Sequence, residues 1–422
     1  MDLVIAIVAG IGFFALVMTS IALHEIGHLV PAKLFGVKVT QYFVGFWKTL
    51  WSTRRGETEY GLKLVPLGGY VRLVGMYPPG RPGRAGRLAD LADDARAAEW
   101  ADITEADVAG NRLFYQKKTW QKLIIMAGGP AMNILLAFLI FLTVNLAYGQ
   151  AQPQTTVATV IDCLDVAPAP CVKPPAAAAG LREGDRIVTF NGRQVTSWAQ
   201  LTADIRANGT HPVRLTVDRP GTGRLELPEV PGAVREVALP DNPSVKVSTG
   251  FIGVQPTFAM VKVGPVETLS DMWAMTTASV GALATFPVTV VTTAYDLVSG
   301  KPRDANGPIS VVGASVVAGE IATSGQLGLG ARIATFFSLL GSVNLFVAIL
   351  NLVPLLPFDG GHMAGAIWEW LRRRLAALAK RPDPGYVDTA KLLPVAYVVG
   401  GFLVLAGVVL ILADVVSPIR IF

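Results

Sequence analysis

Apolar residues along this chain fall in long unbroken blocks, not in the narrow stripes of a soluble amphipathic fold. A hydrocarbon layer of about 30 Å takes roughly 20 apolar residues to cross as a helix. Four blocks meet that length: residues 3–23, 123–147, 333–358 and 392–413. The first lacks a basic leading segment and a small-residue cleavage site, so it predicts an uncleaved span and not a secretory signal. A fifth block, 274–295, is also uncharged. It is thinned by Thr276, Thr277, Ser279, Thr285, Thr289, Thr292 and Thr293 and interrupted by Pro287. That pattern reads as an interfacial or buried helix in place of a fifth span.

Basic residues give the direction. Lys33, Lys38, Lys48, Arg54 and Arg55 follow the first span, and Lys117, Lys118 and Lys122 precede the second. Arg372, Arg373, Arg374, Lys380 and Arg381 lie between the third and fourth. The positive-inside bias puts all of them in the cytoplasm and residues 150–271 outside. Cys163 and Cys171 fall in that outer segment, where a bridge persists if it forms; a small disulfide loop and two free thiols are both open readings. With 52% apolar and 16% charged residues the chain is neither disordered nor a disulfide scaffold, and a net charge of +5 gives no ground for a nucleic-acid partner.

The chemistry concentrates at the inner end of the first span, which reads His24-Glu25-Ile26-Gly27-His28. This is the H-E-x-x-H pattern of zinc peptidases. Residues four apart share a helix face, so both imidazoles can grip one ion while Glu25 is turned toward a water. Ionisable groups inside an apolar helix are expensive and mark function. A catalytic zinc takes three protein ligands and leaves one position open. Of the two other histidines, His211 lies in the outer segment and His362 follows the better candidate, Asp359. That acid is the first after a long uncharged run, and Gly360 and Gly361 let the backbone turn tightly beside it. Parity supports the choice. If 274–295 does not cross, the third span runs in the direction of the first, and Asp359 reaches the depth of the histidines. If it crosses, Asp359 emerges on the far side together with Arg372–Arg374.

These residues resemble the site-2 protease family, the intramembrane zinc metalloproteases. The resemblance is to the bacterial branch with an extracytoplasmic PDZ domain, in the manner of actinobacterial anti-sigma-factor proteases. It rests on His24-Glu25-x-x-His28, on Ala127-Gly128-Gly129-Pro130-x-x-Asn133, on Gly307-Pro308-Ile309-Ser310, and on Asn351-x-x-Pro354 with Asp359-Gly360. It implies one catalytic zinc held by His24, His28 and Asp359, Glu25 as general base, and Asn351 and Pro354 facing substrate. Phe358 stands where the family commonly has Leu, and Pro357 is shifted by one place. The implied substrate is a single-span membrane protein, an anti-sigma factor or a remnant signal peptide, cut second in regulated intramembrane proteolysis. The implied setting is the bacterial plasma membrane, with the N-terminus and PDZ domain outside and the site toward the cytoplasm.

The expected fold is a polytopic α-helical membrane protein with four transmembrane helices, a cytoplasmic β-hairpin insertion and one α+β PDZ domain outside. Residues 1–31 form the first span. Residues 32–121 form a cytoplasmic loop with a membrane-associated hairpin, and 122–149 the second span. The PDZ domain occupies 155–262 and interfacial helices 263–330. Residues 331–362 carry the third span with Asp-Gly, 363–391 a basic loop, and 392–416 the fourth span. In the hairpin, alternation over Glu59–Pro66 predicts strand and Gly68-Gly69 a turn. Its edge either captures unwound substrate by strand addition or only packs beneath the catalytic helices. Residues 78–112 read as a flexible insertion with one short amphipathic helix. Outside, 175–192 resembles a PDZ core, with an Asn191-Gly192 turn, Ser197 capping a second helix and Phe251–Val254 closing the sheet. Such a domain either binds peptides at a sheet edge or filters substrates by size. Two rival readings are a non-cleaving membrane adaptor and a metal transporter. Glu25 speaks against the first, and the scarcity of polar groups in the other spans against the second.

Overall fold

The structure, a computed structural model, describes residues 2–79, 87–101, 103–163, 172–239, 242–301, 303–304 and 307–419. The chain divides into two compact units, one of residues Met1–Tyr148 with Gly264–Phe422 and the other of Gly149–Val263.

The larger unit is built on long helices: α1 (Asp2–Leu34), α4 (Thr119–Ala147), α7 (Pro265–Ser299), α9 (Leu329–Asn351) and α11 (Leu393–Val416). Among the described residues five helices are long and apolar enough to cross a membrane, and α7 is one of them. The threonine content of α7 is a weaker objection to lipid than it looks from sequence. Thr276, Thr277, Thr285, Thr289, Thr292 and Thr293 all return their hydroxyls to carbonyls three or four residues back, so their polar atoms are satisfied inside the helix.

Pair contacts fix the relative directions. Phe13 meets Phe336 and Ser20 meets Asn344, so α1 and α9 advance together. Gly27 lies on Gly128, while Ile140 packs into the cluster around Phe13, so α4 runs opposite to α1. The short helix α8 (Val311–Thr323) also opposes α1, with Ser315 beside Gly10 and Gly319 beside Ala6. Its entry is fixed by Asp414 of α11, which accepts from Arg303 (2.5 Å) and from the Ser310 N–H (2.7 Å) in the Gly307–Ser310 motif.

Three expectations are corrected. The stretch from 333 to 362 is not one helix: α9 stops at Asn351 and α10 (Asp359–Leu378) starts at Asp359. Pro354 and Pro357 explain the break, because each pushes its preceding residue out of helical geometry. Residues 363–391 are therefore largely helix, not loop. The turn of the hairpin β1 (Val39–Arg55) and β2 (Thr58–Leu73) is at Gly56-Glu57, with Arg55 opposite Thr58. The chain reverses again between Val65 and Gly69 inside β2, where Gly68 (φ 122°) sits, so the turn expected at Gly68-Gly69 is present as a second reversal. Finally, residues 93–101 of the insertion are docked: Arg96 bonds Asp388 (2.6 Å), and the Glu99 carboxylate accepts the N–H groups of Met76 and Tyr77. They belong to α2 (Arg87–Trp100), which is followed by α3 (Glu105–Ala109).

The hairpin bends back on itself. Val39–Val44 of β1 lies between two segments of β2, with Val44 opposite Leu62 on one side and opposite Gly69 on the other. A bend at Gly45 (φ 90°) and Trp47 (φ 73°) permits this. Phe46, Trp47, Leu50, Trp51 and Leu67 of the sheet are exposed.

The smaller unit carries a sheet in the order β10-β3-β4-β6-β7 with β5 on β4. Its strands are β3 (Gln150–Val160), β4 (Arg186–Phe190), β5 (Arg193–Gln194), β6 (Leu215–Arg219), β7 (Gly223–Glu226) and β10 (Val254–Val261). A separate hairpin pairs β8 (Ala233–Leu239) with β9 (Asn242–Phe251). The short helix α5 (Pro175–Ala178) precedes the turn into β4, and Asn191 and Gly192 both have positive φ between β4 and β5. The Ser197 hydroxyl caps α6 (Trp198–Asn208) by accepting from the Gln200 N–H. The core gathers Val157, Ile187, Phe190, Leu201, Leu215 and Val217. Residues 251–254 are not one strand, since Gly253 (φ 83°) separates β9 from β10. Cys163 is disulfide-bonded; Cys171 lies outside the described residues.

Candidate metal centre

Four elements of the larger unit meet around the H-E-x-x-H segment. His24 and His28 are buried on the same face of α1, as 3.6-residue periodicity requires. Asp359 arrives as the first residue of α10. Its approach depends on Gly360 and Gly361, where a Cβ would lie 2.4 Å from the Leu352 and Val353 carbonyls and 2.6 Å from the Leu356 nitrogen. The two glycines thus let α10 begin directly under the loop that ends α9.

The three side chains present one atom each to a common point. His24 Nε2 and His28 Nε2 are 3.2 Å apart, and Asp359 Oδ2 lies 3.5 Å from the first and 3.3 Å from the second. Ligand atoms about 2.0–2.1 Å from a tetrahedral zinc are separated by about 3.3 Å, so the observed triangle has the size of one coordination face. Its chemistry fits as well. The Ile125 carbonyl, 2.8 Å from His28 Nδ1, can only accept, so the ring carries its proton there. In its neutral form it turns the Nε2 lone pair inward. Asp359 Oδ2 is buried and makes no hydrogen bond. With His24 in the same tautomer three acceptors converge, an arrangement that a cation between them relieves.

Space for that cation is left by α4. A Cβ built on Gly129 would lie 2.2 Å from His28 Nε2 and 2.6 Å from His24 Nε2. One turn of helix thus faces the ligand atoms with no side chain. Gly128, its neighbour, touches α1 itself: a Cβ there would fall 1.9 Å from the Gly27 carbonyl oxygen. The Gly-Gly pair stood out in the sequence as part of a motif but without a role.

Glu25 is turned away from the triangle toward β2. A Cβ on Gly69 would meet Glu25 Cγ at 3.0 Å. Of the residues expected to handle substrate, Gly69 therefore borders the site. Gly68 instead packs on the Phe46 ring. Asn351 gives its amide N–H to the Val347 carbonyl on its own helix (3.1 Å), and Pro354 lies in the loop between α9 and α10.

Comparison with known proteins agrees with this geometry. The family model described as Peptidase family M50 matches residues 12–382. The chain is similar to zinc metalloprotease Rip1 of Mycobacterium tuberculosis, with 35% identity covering 98% of this chain and 99% of the relative. It is similar to metalloprotease MmpA of Caulobacter vibrioides at 27% identity over 86% of this chain and 85% of the relative. Zinc metalloprotease RasP of Bacillus licheniformis shares 25% identity over 86% of this chain and 90% of its own length. The chain belongs to peptidase family M50, the site-2 proteases, and is a membrane zinc metalloprotease.

Proposed function

We propose that His24, His28 and Asp359 hold the zinc and that Glu25 is the general base for cleavage of a peptide bond inside the membrane. The observation that carries this reading is the convergence of three ligand atoms, at zinc-sized separations, beside a carboxylate that is itself turned off the triangle. Zinc, when bound, lowers the pKa of a water toward about 7 and polarises the scissile carbonyl. Glu25 takes the proton from the attacking water and returns it to the leaving amine.

A helical substrate hides its amides in hydrogen bonds, so it must unwind before attack. The segment of β2 around Gly69 and Val71 runs past Glu25, and an unwound strand adding to that edge passes the base directly. Gly68, Asn351 and Pro354 shape the ends of this channel. Water must reach the site through a polar path open to the cytoplasm, since lipid supplies none.

The chain makes four full crossings, and α7 with α8 forms an excursion that returns to its starting side. The common direction of α1 and α9 supports this, because α4 between them runs the other way. The N-terminus and the smaller unit, a PDZ domain, are then outside the bacterial plasma membrane, and the metal centre is toward the cytoplasm. Exposed aromatic residues of the β1–β2 sheet rest in the membrane interface. The substrate is a single-span membrane protein of the anti-sigma-factor or remnant-signal-peptide kind, already trimmed outside.

Glu25→Gln tests the core of the reading. The variant should retain stoichiometric zinc and lose about 10²–10⁴-fold in cleavage of a membrane-embedded reporter. Cleavage at the wild-type rate would remove Glu25 from the role of base.

A further inference from the structure

The site contains a second pair of atoms that lack partners. Among the described residues, His24 Nδ1 is buried with no hydrogen-bond partner, and so is the side-chain oxygen Oδ1 of Asn133 on α4. Both residues are more than nine-tenths buried. The first atom is a donor whenever Nε2 serves as a ligand, and the second is an acceptor.

Their positions along the two helices are matched. The α1 and α4 helices run in opposite directions. His28 on α1 takes its outer partner from Ile125 on α4. Gly129, four residues on, faces the Nε2 atoms of both imidazoles. Asn133, another four residues on, lies on the same face at the next turn, toward His24. The His24 ring lies with Nε2 and Cε1 against Gly129, at 2.6 and 2.7 Å from a Cβ built there, and Nδ1 is the atom bonded to Cε1. Positions 125, 129 and 133 thus follow one stripe that serves His28, the ligand atoms and His24 in turn.

We infer that Asn133 is the positioning residue for His24, its amide carbonyl taking the Nδ1–H once the ring ligates, in the manner of the Ile125 carbonyl on His28; in this structure the two atoms are not yet hydrogen-bonded to each other. This rests on the reading of His24 as a zinc ligand. Metal-bound imidazoles almost always give their second N–H to a carbonyl or carboxylate, which fixes the tautomer and ring orientation. Without it, one of the two histidines would be oriented and the other loose.

The test is zinc affinity of the full chain in detergent, read by competition with a chromophoric chelator, beside thermal unfolding of the apo form. Asn133→Leu removes the acceptor at similar volume and should weaken zinc by about 10–100-fold. Asn133→Asp keeps an acceptor and should hold affinity near wild type. Should the Leu variant fail to fold, Asn133→Ala removes the same acceptor without bulk and should show the same loss. Wild-type affinity in the Leu or Ala variant overturns the inference, as does an equal loss in the Asp variant. His24→Ala run in parallel separates the two levels: if it binds zinc normally, the ligand assignment is wrong; if it loses zinc while Asn133→Leu does not, only the role of Asn133 falls.

Discussion

A single methyl group at position 129 should empty the metal centre. In Gly129→Ala the new Cβ would stand 2.2 Å from His28 Nε2 and 2.6 Å from His24 Nε2, about the length of a zinc–nitrogen bond. The methyl would occupy the ion's own place. Ordinary carbon–nitrogen contact needs more than 3 Å, so α4 would have to retreat by about 1 Å or both imidazoles would have to swing away. Retreat is opposed by the neighbouring contact of Gly128 on the Gly27 backbone, and swinging away dismantles the triangle. A displacement of about 1 Å at a reacting centre can cost about 10²-fold in rate, and direct loss of the ion costs more. The expected result is substoichiometric zinc after purification and cleavage below detection. Gly12→Ala is the control: it is also a helical glycine in an apolar span, but nothing lies within 4 Å of its Cβ, so activity and zinc content should be unchanged. Stoichiometric zinc at wild-type affinity in Gly129→Ala would refute the placement of the ion.

Two further outcomes test charged contacts of the larger unit. Burial pushes the Asp107 carboxyl up, but hydrogen bonds from Lys38 (2.7 Å) and Thr104 outweigh this and hold it at about 2. Its folded value is below its unfolded one, so its contribution to stability is complete above about pH 4 and is lost as pH falls toward 2; Asp107→Asn should be less stable at pH 7 and flatten the acid limb of the unfolding profile between those values. Lys122 and Glu369 form a buried pair at 3.0 Å. Glu369 also accepts the Val387 N–H (3.0 Å) and has Arg373 at 3.9 Å. Lys122→Met thus leaves the carboxylate under-compensated and should destabilise the protein by less than the about 3–5 kcal/mol of a fully stranded buried charge, read by denaturant unfolding; a variant as stable as wild type would contradict the burial of the pair.

The chemistry of the site was legible because it depends on residue type and spacing. His24, Glu25 and His28 follow from helical periodicity, and Asp359 from the direction of spans. The structure brings these side chains together as the sequence reading expected. What spacing does not encode is contact between remote backbones. Nothing in the run from Leu123 onward says that Gly128 and Gly129 face α1, because a glycine in an apolar helix looks the same whether it meets lipid or another chain. The reversal at Gly68-Gly69 was legible, because glycine signals freedom of φ and Gly68 (φ 122°) spends it where the chain doubles back between Val65 and Gly69; the first turn, at Gly56-Glu57, carried a weaker signal. The docked insertion was hidden by composition: a polar, Ala-rich stretch suggests solvent, yet Arg96 and Glu99 hold it by specific bonds to residues remote in the sequence.

The Gly-Gly pair also explains how one crossing does two jobs. In lipid, apolar helices have no hydrophobic drive to associate, so close backbone contact through small residues supplies the attraction. Successive residues of a helix point about 100° apart. A lone glycine can therefore either bring α4 onto the α1 backbone or leave room before the imidazoles, but it cannot do both. With two in sequence, Gly128 makes the approach and Gly129 keeps the space that the approach would otherwise close. The helix pair must come together for Ile125 to reach His28 and must stay open one residue later for the ion. Separating the glycines by a single inserted residue would rotate one function off the interface, whichever glycine kept its place.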